Sequence, residues 1–222
     1  MSLHSAVLDR PAEGSVGAFS AVLLDMDGTL VDSDAAVERS WRTWARRWGV
    51  DPAAVLAVMI GNPAESTVRR VRPDLDEAGV AAATRDQLEL ECTDLDDVVA
   101  APGAHELIAH LESTFTPYAV VTSADTRLAR ARLGAAGLAL PLLVPRDMVT
   151  HGKPDPEGYL LAAEFLGAVV EDCLVVEDSP VGVAAGRAAG ATVAGLRGVD
   201  ADLAVDSLHD VVTTLLAREV IA

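Results

Sequence analysis

Asp25 and Asp27 stand one residue apart where a short apolar run ends, in the stretch Leu23-Leu24-Asp25-Met26-Asp27-Gly28-Thr29. Two carboxylates this close repel each other unless a proton or a cation separates them. A hard divalent cation with oxygen ligands, Mg²⁺ above all, is the usual solution, and it keeps room for a substrate phosphate. Three further groups of reactive side chains follow other apolar runs or precede a helix: Thr122 and Ser123, Lys153, and the adjacent pair Glu177-Asp178. Each fragment has an ordinary explanation of its own, because Asp-Gly punctuates turns and a strand can simply end in polar residues. Together they are acid, hydroxyl, lysine and acid at successive element ends, which packing does not explain.

The elements that would position these groups alternate. Ala21–Leu24 reads as a fully buried parallel strand, and Gly28 lets the backbone turn away after it. Residues 33–100 read almost wholly helical, with Asp34 as a cap for a helix ending at Gly49, a second helix over 52–60, a break at Gly61-Asn62-Pro63, and helices over 64–72 and 76–95. Beyond Pro102-Gly103 strands and helices alternate: strands at 118–121, 140–144, 173–176 and 191–196, helices at 104–113, 125–137, 156–167, 181–189 and 207–218. That alternation is the signature of a parallel sheet covered by helices. In the third of these helices Asp155 is expected as the N-cap and Pro156 in the first turn, which would fix Lys153 just ahead of the helix. The fold class expected is therefore α/β, a doubly wound parallel sheet. It is divided into a loose tail over 1–18, a core over 19–32 and 101–222, and a small all-helical cap over 33–100, inserted after the first strand.

Composition narrows the partners. Half of the 222 residues are apolar, which supports a packed core, and the formal charge is −17. Nucleic acid and anionic membrane surfaces are thereby excluded as partners, and any anionic substrate must be met by local positive charge. Lys153 is the only lysine among 17 basic residues. Cys92 and Cys173 form neither a disulfide framework nor a metal pattern. No stretch approaches 18 apolar residues, and the first 20 residues lack a leader pattern, so a cytoplasmic protein is expected. Trp41, Trp44 and Trp48 fall at i, i+3 and i+7 on one helix face; anchoring a small helical core suits them better than stacking on a sugar. Glu89, Glu91, Asp94, Asp96 and Asp97 read as a solvated acidic face.

With these residues in hand, the chain resembles the haloacid dehalogenase superfamily of aspartate-nucleophile phosphotransferases. Asp25-Met26-Asp27-Gly28-Thr29 matches its first motif, Thr122 the second, Lys153 the third and Glu177-Asp178 the fourth. The resemblance implies that Asp25 attacks phosphorus to form an aspartyl-phosphate, and that Asp27 protonates the leaving oxygen and then activates water. It implies Mg²⁺ held by Asp25, the backbone carbonyl of Asp27 and Asp178, with Glu177 assisting. Thr122, Ser123, Lys153 and Gly28 would contact the phosphate.

Within the superfamily, Asp27 argues for phosphate chemistry over dehalogenation. The absence of lysine from residues 33–100 removes a Schiff-base mechanism. Where β-phosphoglucomutases carry a histidine, Val37 stands here, which favours hydrolysis over a mutase cycle. The helix from Asp32 through Gly49 looks most like bacterial sugar phosphatases. The resulting expectation is a Mg²⁺-dependent phosphatase of small phosphorylated sugars or polyols, probed by the cap residues Asn62, Glu65 and Arg69, and acting as a monomer. A phosphosugar mutase and a phosphoglycolate-type phosphatase are the alternatives.

Overall fold

The computed structural model describes residues 18–59, 62–139 and 142–219. The tail expected over 1–18 falls almost wholly outside the described residues, as do Ile60, Gly61 and the start of the strand expected at 140.

Strand β1, Ala21–Leu24, is buried at every position. Its side chains alternate between two apolar layers, as successive residues of a strand must. Val22 and Leu24 join one layer, and Ala21 and Leu23 the other. The chain then folds back into a two-residue strand, β2 (Val31–Asp32), and leaves the sheet for four helices: α1 (Asp34–Arg47), α2 (Pro52–Met59), α3 (Ala64–Val71) and α4 (Glu77–Thr93). It returns through β3 (Val99–Ala100), which pairs antiparallel with β2, Val31 opposite Ala100 and Asp32 opposite Val99. This small ribbon, too short to read from sequence, brings the exit and return of the helical insertion side by side.

From α5 (Ala104–Ser113) onward the chain builds the rest of the sheet. The elements are β4 (Tyr118–Val121), α6 (Thr126–Ala135), β5 (Leu143–Val144), α7 (Glu157–Leu166), β6 (Cys173–Glu177), α8 (Pro180–Ala189), β7 (Thr192–Gly195), β8 (Leu203–Ala204) and α9 (Leu208–Glu219). Among the described residues, the six strands are parallel and run in the order β5-β4-β1-β6-β7-β8. Helices α5, α6 and α9 cover one face through Leu107, Leu111, Leu128, Leu133, Leu208 and Leu215. Helices α7 and α8 cover the other through Tyr159, Ala162, Val183 and Ala185. The strand order reverses direction at β1. In an open α/β sheet, such a reversal is where ligands bind, at the carboxyl ends of the strands.

The insertion has a core of its own. Trp41, Trp44, Ala45, Val55, Val68, Val80 and Ala83 pack together, with Trp48 half-buried against them. Trp44 donates its indole N–H to the Ala83 carbonyl at 2.8 Å, and Trp48 donates to Asp86 at 3.0 Å. The three tryptophans are therefore packing anchors of the cap.

Two helix caps differ from the sequence reading. Helix α1 begins at Asp34 itself, and its N-cap, Ser33, makes no side-chain cap bond. The Ser33 hydroxyl is committed to Asp27, and Asp34 to Arg197. Helix α7 is capped by Pro156. Asp155 lies one residue further out, and its carboxylate accepts the Glu157 N–H at 3.0 Å.

Candidate active site

The loop after β1 is held almost entirely by its own backbone. The N–H groups of Leu30 and Val31 both donate to the Met26 carbonyl at 2.9 Å, and Gly28 donates to Val31 at 2.8 Å. Gly28 has φ +83°, and a Cβ there would overlap the Asp178 carboxylate. Only glycine allows both the left-handed turn and that close approach. Asp25 sits at the strand's end, its backbone N–H bonded to Val176 of β6 at 3.0 Å. The Asp27 carboxylate is held on both oxygens: Ser33 donates to one at 2.7 Å and Arg132 to the other at 2.8 Å.

Lys153 is the hub beside Asp25. Its ammonium donates to Asp25 at 2.5 Å, to Glu177 at 2.6 Å and to the Val121 carbonyl at 3.0 Å. Burial opposes its charge, but Asp25, Tyr159 and Glu177 hold its pKa well above the usual lysine value. Glu177 has no solvent exposure. One of its oxygens accepts from Lys153 and from the Tyr159 hydroxyl at 2.7 Å. The other accepts from the backbone of Asp178 and Ser179 and from the Ser179 hydroxyl. Helix α8 starts immediately after, with Ser179 as its N-cap.

The balance of charge here is what a cation would correct. Asp25, Glu177 and Asp178 bring carboxylate oxygens within 4.8 Å of one another. Lys153 is the one buried cation among them, and Arg197, whose side chain is partly exposed, brings its Nε to 3.6 Å from Asp178. Burial, then Glu177, pushes the Asp178 carboxyl up to about 6, against the pull of Arg197. Burial likewise raises Asp25, with Glu177 and Asp178 adding to it and Lys153 opposing. An all-oxygen donor set with too little positive charge fits a hard divalent cation such as Mg²⁺. Asp25 and Asp178 have oxygen lone pairs to offer it. Those of Glu177 are occupied by donors, so its fit is to hold Lys153 rather than to ligate.

A family model for haloacid dehalogenase-like hydrolases matches residues 19–190. The chain belongs to that family. It is 41% identical over 200 residues to Hexitol phosphatase A of Escherichia coli (strain K12), covering 86% of this chain and 93% of that one. It is 33% identical over 187 residues to Validoxylamine A 7'-phosphate phosphatase of Streptomyces hygroscopicus subsp. limoneus, covering 80% and 85%. The crystal structure of a putative beta-phosphoglucomutase from Thermotoga maritima superposes with a TM-score of 0.72 at 26% identity, covering 89% of this chain and 98% of that one. This member of the haloacid dehalogenase-like hydrolases thus stands among phosphatases.

Four of the motif positions of this hydrolase, Asp25, Lys153, Glu177 and Asp178, converge on one cluster. Thr122 is buried at the end of the neighbouring strand β4, where its hydroxyl accepts the Ala124 N–H at 3.0 Å, and Ser123 beside it is exposed. The cap residues named from sequence do not join the cluster. Arg69 pairs with Glu65 and Glu77 at 2.8 and 2.7 Å on the cap surface, and Asn62 is exposed and donates to the Val58 carbonyl. The acidic stretch 89–97 is a solvated face laced with surface ion pairs, except at Glu91. Glu89 binds Arg127, Asp94 and Asp97 share Arg39, and Glu91 is buried against Arg132. Arg132, Ser33, Tyr159 and Arg197 touch the motif residues and went unread in the sequence. A signal existed for Arg132: it lies on the buried stripe of α6 with Leu128, Ala129 and Leu133, where a charge needs a reason. No helix among the described residues is long and apolar enough to cross a membrane.

Proposed function

We propose that this hydrolase is a Mg²⁺-dependent phosphatase of small phosphorylated polyols or sugars, with hexitol phosphates first among them. The observation that carries the proposal is the convergence of Asp25, Lys153, Glu177 and Asp178 at the strand ends, in a chain whose 41%-identical relative is a hexitol phosphatase. Asp25 is the nucleophile. Lys153 orients its carboxylate and meets a phosphoryl oxygen, and Glu177 with Tyr159 keeps the lysine in place. Attack forms an aspartyl-phosphate while Asp27, in its protonated form, gives its proton to the leaving alkoxide. As a carboxylate, Asp27 then takes a proton from water, whose oxygen attacks the phosphorus and releases Asp25. Thr122 and Ser123 at the end of β4 supply donors to the remaining phosphoryl oxygens, whereas the Gly28 N–H, expected from sequence to join them, is already spent on the Val31 carbonyl. Mg²⁺ held by Asp25, Asp178 and the Asp27 carbonyl would add charge stabilisation for the transferring group, which is most of what phosphoryl transfer requires.

A mutase cycle would need the cap to help pass a phosphoryl group back to an intermediate. Val37, at the position expected to serve that purpose, is packed against the cap core, and its isopropyl side chain offers no proton or hydrogen bond. The test is phosphate release with Mg²⁺ across hexitol phosphates, fructose 1-phosphate, 2-deoxyglucose 6-phosphate, phosphoglycolate and β-glucose 1-phosphate. Strong release from a hexitol or hexose phosphate is expected. Isomerisation of β-glucose 1-phosphate without net release would replace the phosphatase by a mutase, and selective release from phosphoglycolate would move the substrate class.

A further inference from the structure

Arg132 is a buried arginine with two anionic partners from different parts of the molecule. Its residue is 5% exposed, although it stands on α6, a helix covering the sheet. One terminal nitrogen donates to Asp27 at 2.8 Å, and the other reaches Glu91 of the cap helix α4 at 3.3 Å. Its Nε finds no partner among the described residues. Glu91 is itself secured: the Gln87 amide donates to its other oxygen at 2.9 Å and also to Ser40 of α1.

Burying a cation costs several kcal/mol unless its partners are well placed. A guanidinium retained for fold stability alone would satisfy all of its donors. Here the Nε–H is left orphaned while one arm of the fork goes to Asp27 and the other to Glu91. The Asp27 side chain remains 30% exposed, while its anchor is buried. Guanidinium geometry suits this task, because its rigid fork addresses two carboxylates at once and it keeps its charge at every pH an enzyme meets.

We propose that Arg132 is a positioning residue. It fixes the Asp27 carboxylate toward the site, and Glu91 and Gln87 of the cap hold Arg132 in turn. This rests on the phosphatase reading, in which Asp27 moves the protons. Under it, the cap contributes to acid–base chemistry through a residue that touches neither substrate nor phosphate. A purely structural bolt between cap and core would give a different pattern on mutation, because its loss would not depend on Asp27.

The experiment compares wild type with Arg132→Gln, Glu91→Gln, Asp27→Asn and the Arg132→Gln/Asp27→Asn double variant, in hexitol phosphate hydrolysis with Mg²⁺. Arg132→Gln is expected to lower kcat about 100-fold, within the range that acid–base groups contribute, with KM changed less than about threefold. In the Asp27→Asn background the same substitution should cost less than about threefold, since residues acting through one another are not additive. Glu91→Gln should also lower kcat, by about tenfold, and remains informative if Arg132→Gln does not fold. Multiplicative losses in the double variant, or a loss confined to KM, would overturn the assignment. The crystal structure of Arg132→Gln or Glu91→Gln reads the same point without turnover. An Asp27 carboxylate that has left Ser33 supports the proposal, and one that has not moved sinks it. Wild-type protein that releases no phosphate fails the phosphatase reading alone, and the crystal structure then decides on Arg132.

Discussion

Gly182 of α8 lies against the Glu177 carboxylate, so closely that a Cβ at position 182 would overlap it. The first turn of α8 thereby leaves the space in which Glu177 grips Lys153. Gly182→Ala should push Glu177 off the lysine, costing about 1–3 kcal/mol as overpacking does and lowering kcat by about 100-fold through lost electrostatic preorganisation. Thermal melts and steady-state kinetics on one preparation check both. Unchanged kcat would mean that Glu177 does not hold Lys153 in its working position.

Lys153 offers a prediction with a definite sign in pH. Lys153→Gln leaves Asp25 and Glu177 buried without their cation, a change worth about 3–5 kcal/mol near neutral pH when one partner of a buried pair is lost. Turnover should vanish. Burial already raises the Asp25 carboxyl, and removing the Lys153 charge raises it further. A carboxyl raised in the folded state costs nothing below its unfolded pKa, destabilises progressively as pH climbs from that value toward the folded one, and costs no more beyond it. The stability gap between wild type and variant should therefore widen as pH is taken from 5 to 7. A gap that narrows over that interval would place the lysine outside the ion pair.

The cation site is testable without turnover. Without metal the Asp178 carboxyl is pushed up to about 6, so protons compete with the cation below that pH, and the cost to the apo fold builds up from the usual carboxylate range to that value and is fully present above it. Mg²⁺ should raise the melting temperature more at pH 7 than at pH 5, and Asp178→Asn should abolish most of the shift. No shift at either pH would remove Asp178 and Asp25 as ligands.

The sheet and the acid, hydroxyl and lysine positions were legible in the sequence because strand ends and reactive residues coincide there. Short pairings such as β2 with β3 and β7 with β8 were not, since two residues carry no period to read. Helix starts misled where a cap residue had other employment: Ser33 serves Asp27 instead of α1, and Asp34 serves Arg197. In the acidic run 89–97 only Glu91 departs from the solvated face expected. Glu89, Asp94 and Asp97 stay at the surface, but each partner arginine, like Arg132 beside Glu91, lies 38 or more positions away and only the fold brings them together. Arg132 shows the general difficulty, for its position on an apolar stripe signals burial but not the partner that justifies it.

The tryptophan face decides how far the cap is packing and how far it is recognition. Trp44 has no solvent exposure and spends its N–H on Ala83, whereas Trp48 is half-buried and stacks on Trp44 with ring centroids 6.0 Å apart. Trp44→Ala should destabilise the cap by about 3–5 kcal/mol, the usual cost of emptying a large aromatic site. Trp48→Phe keeps a ring against Trp44 and under Arg72 and loses the bond to Asp86. It should cost about 1 kcal/mol and leave KM for a hexitol phosphate unchanged. A several-fold rise in KM with unchanged stability would instead mean that the Trp48 ring touches substrate, and the cap's aromatic face would then belong to recognition.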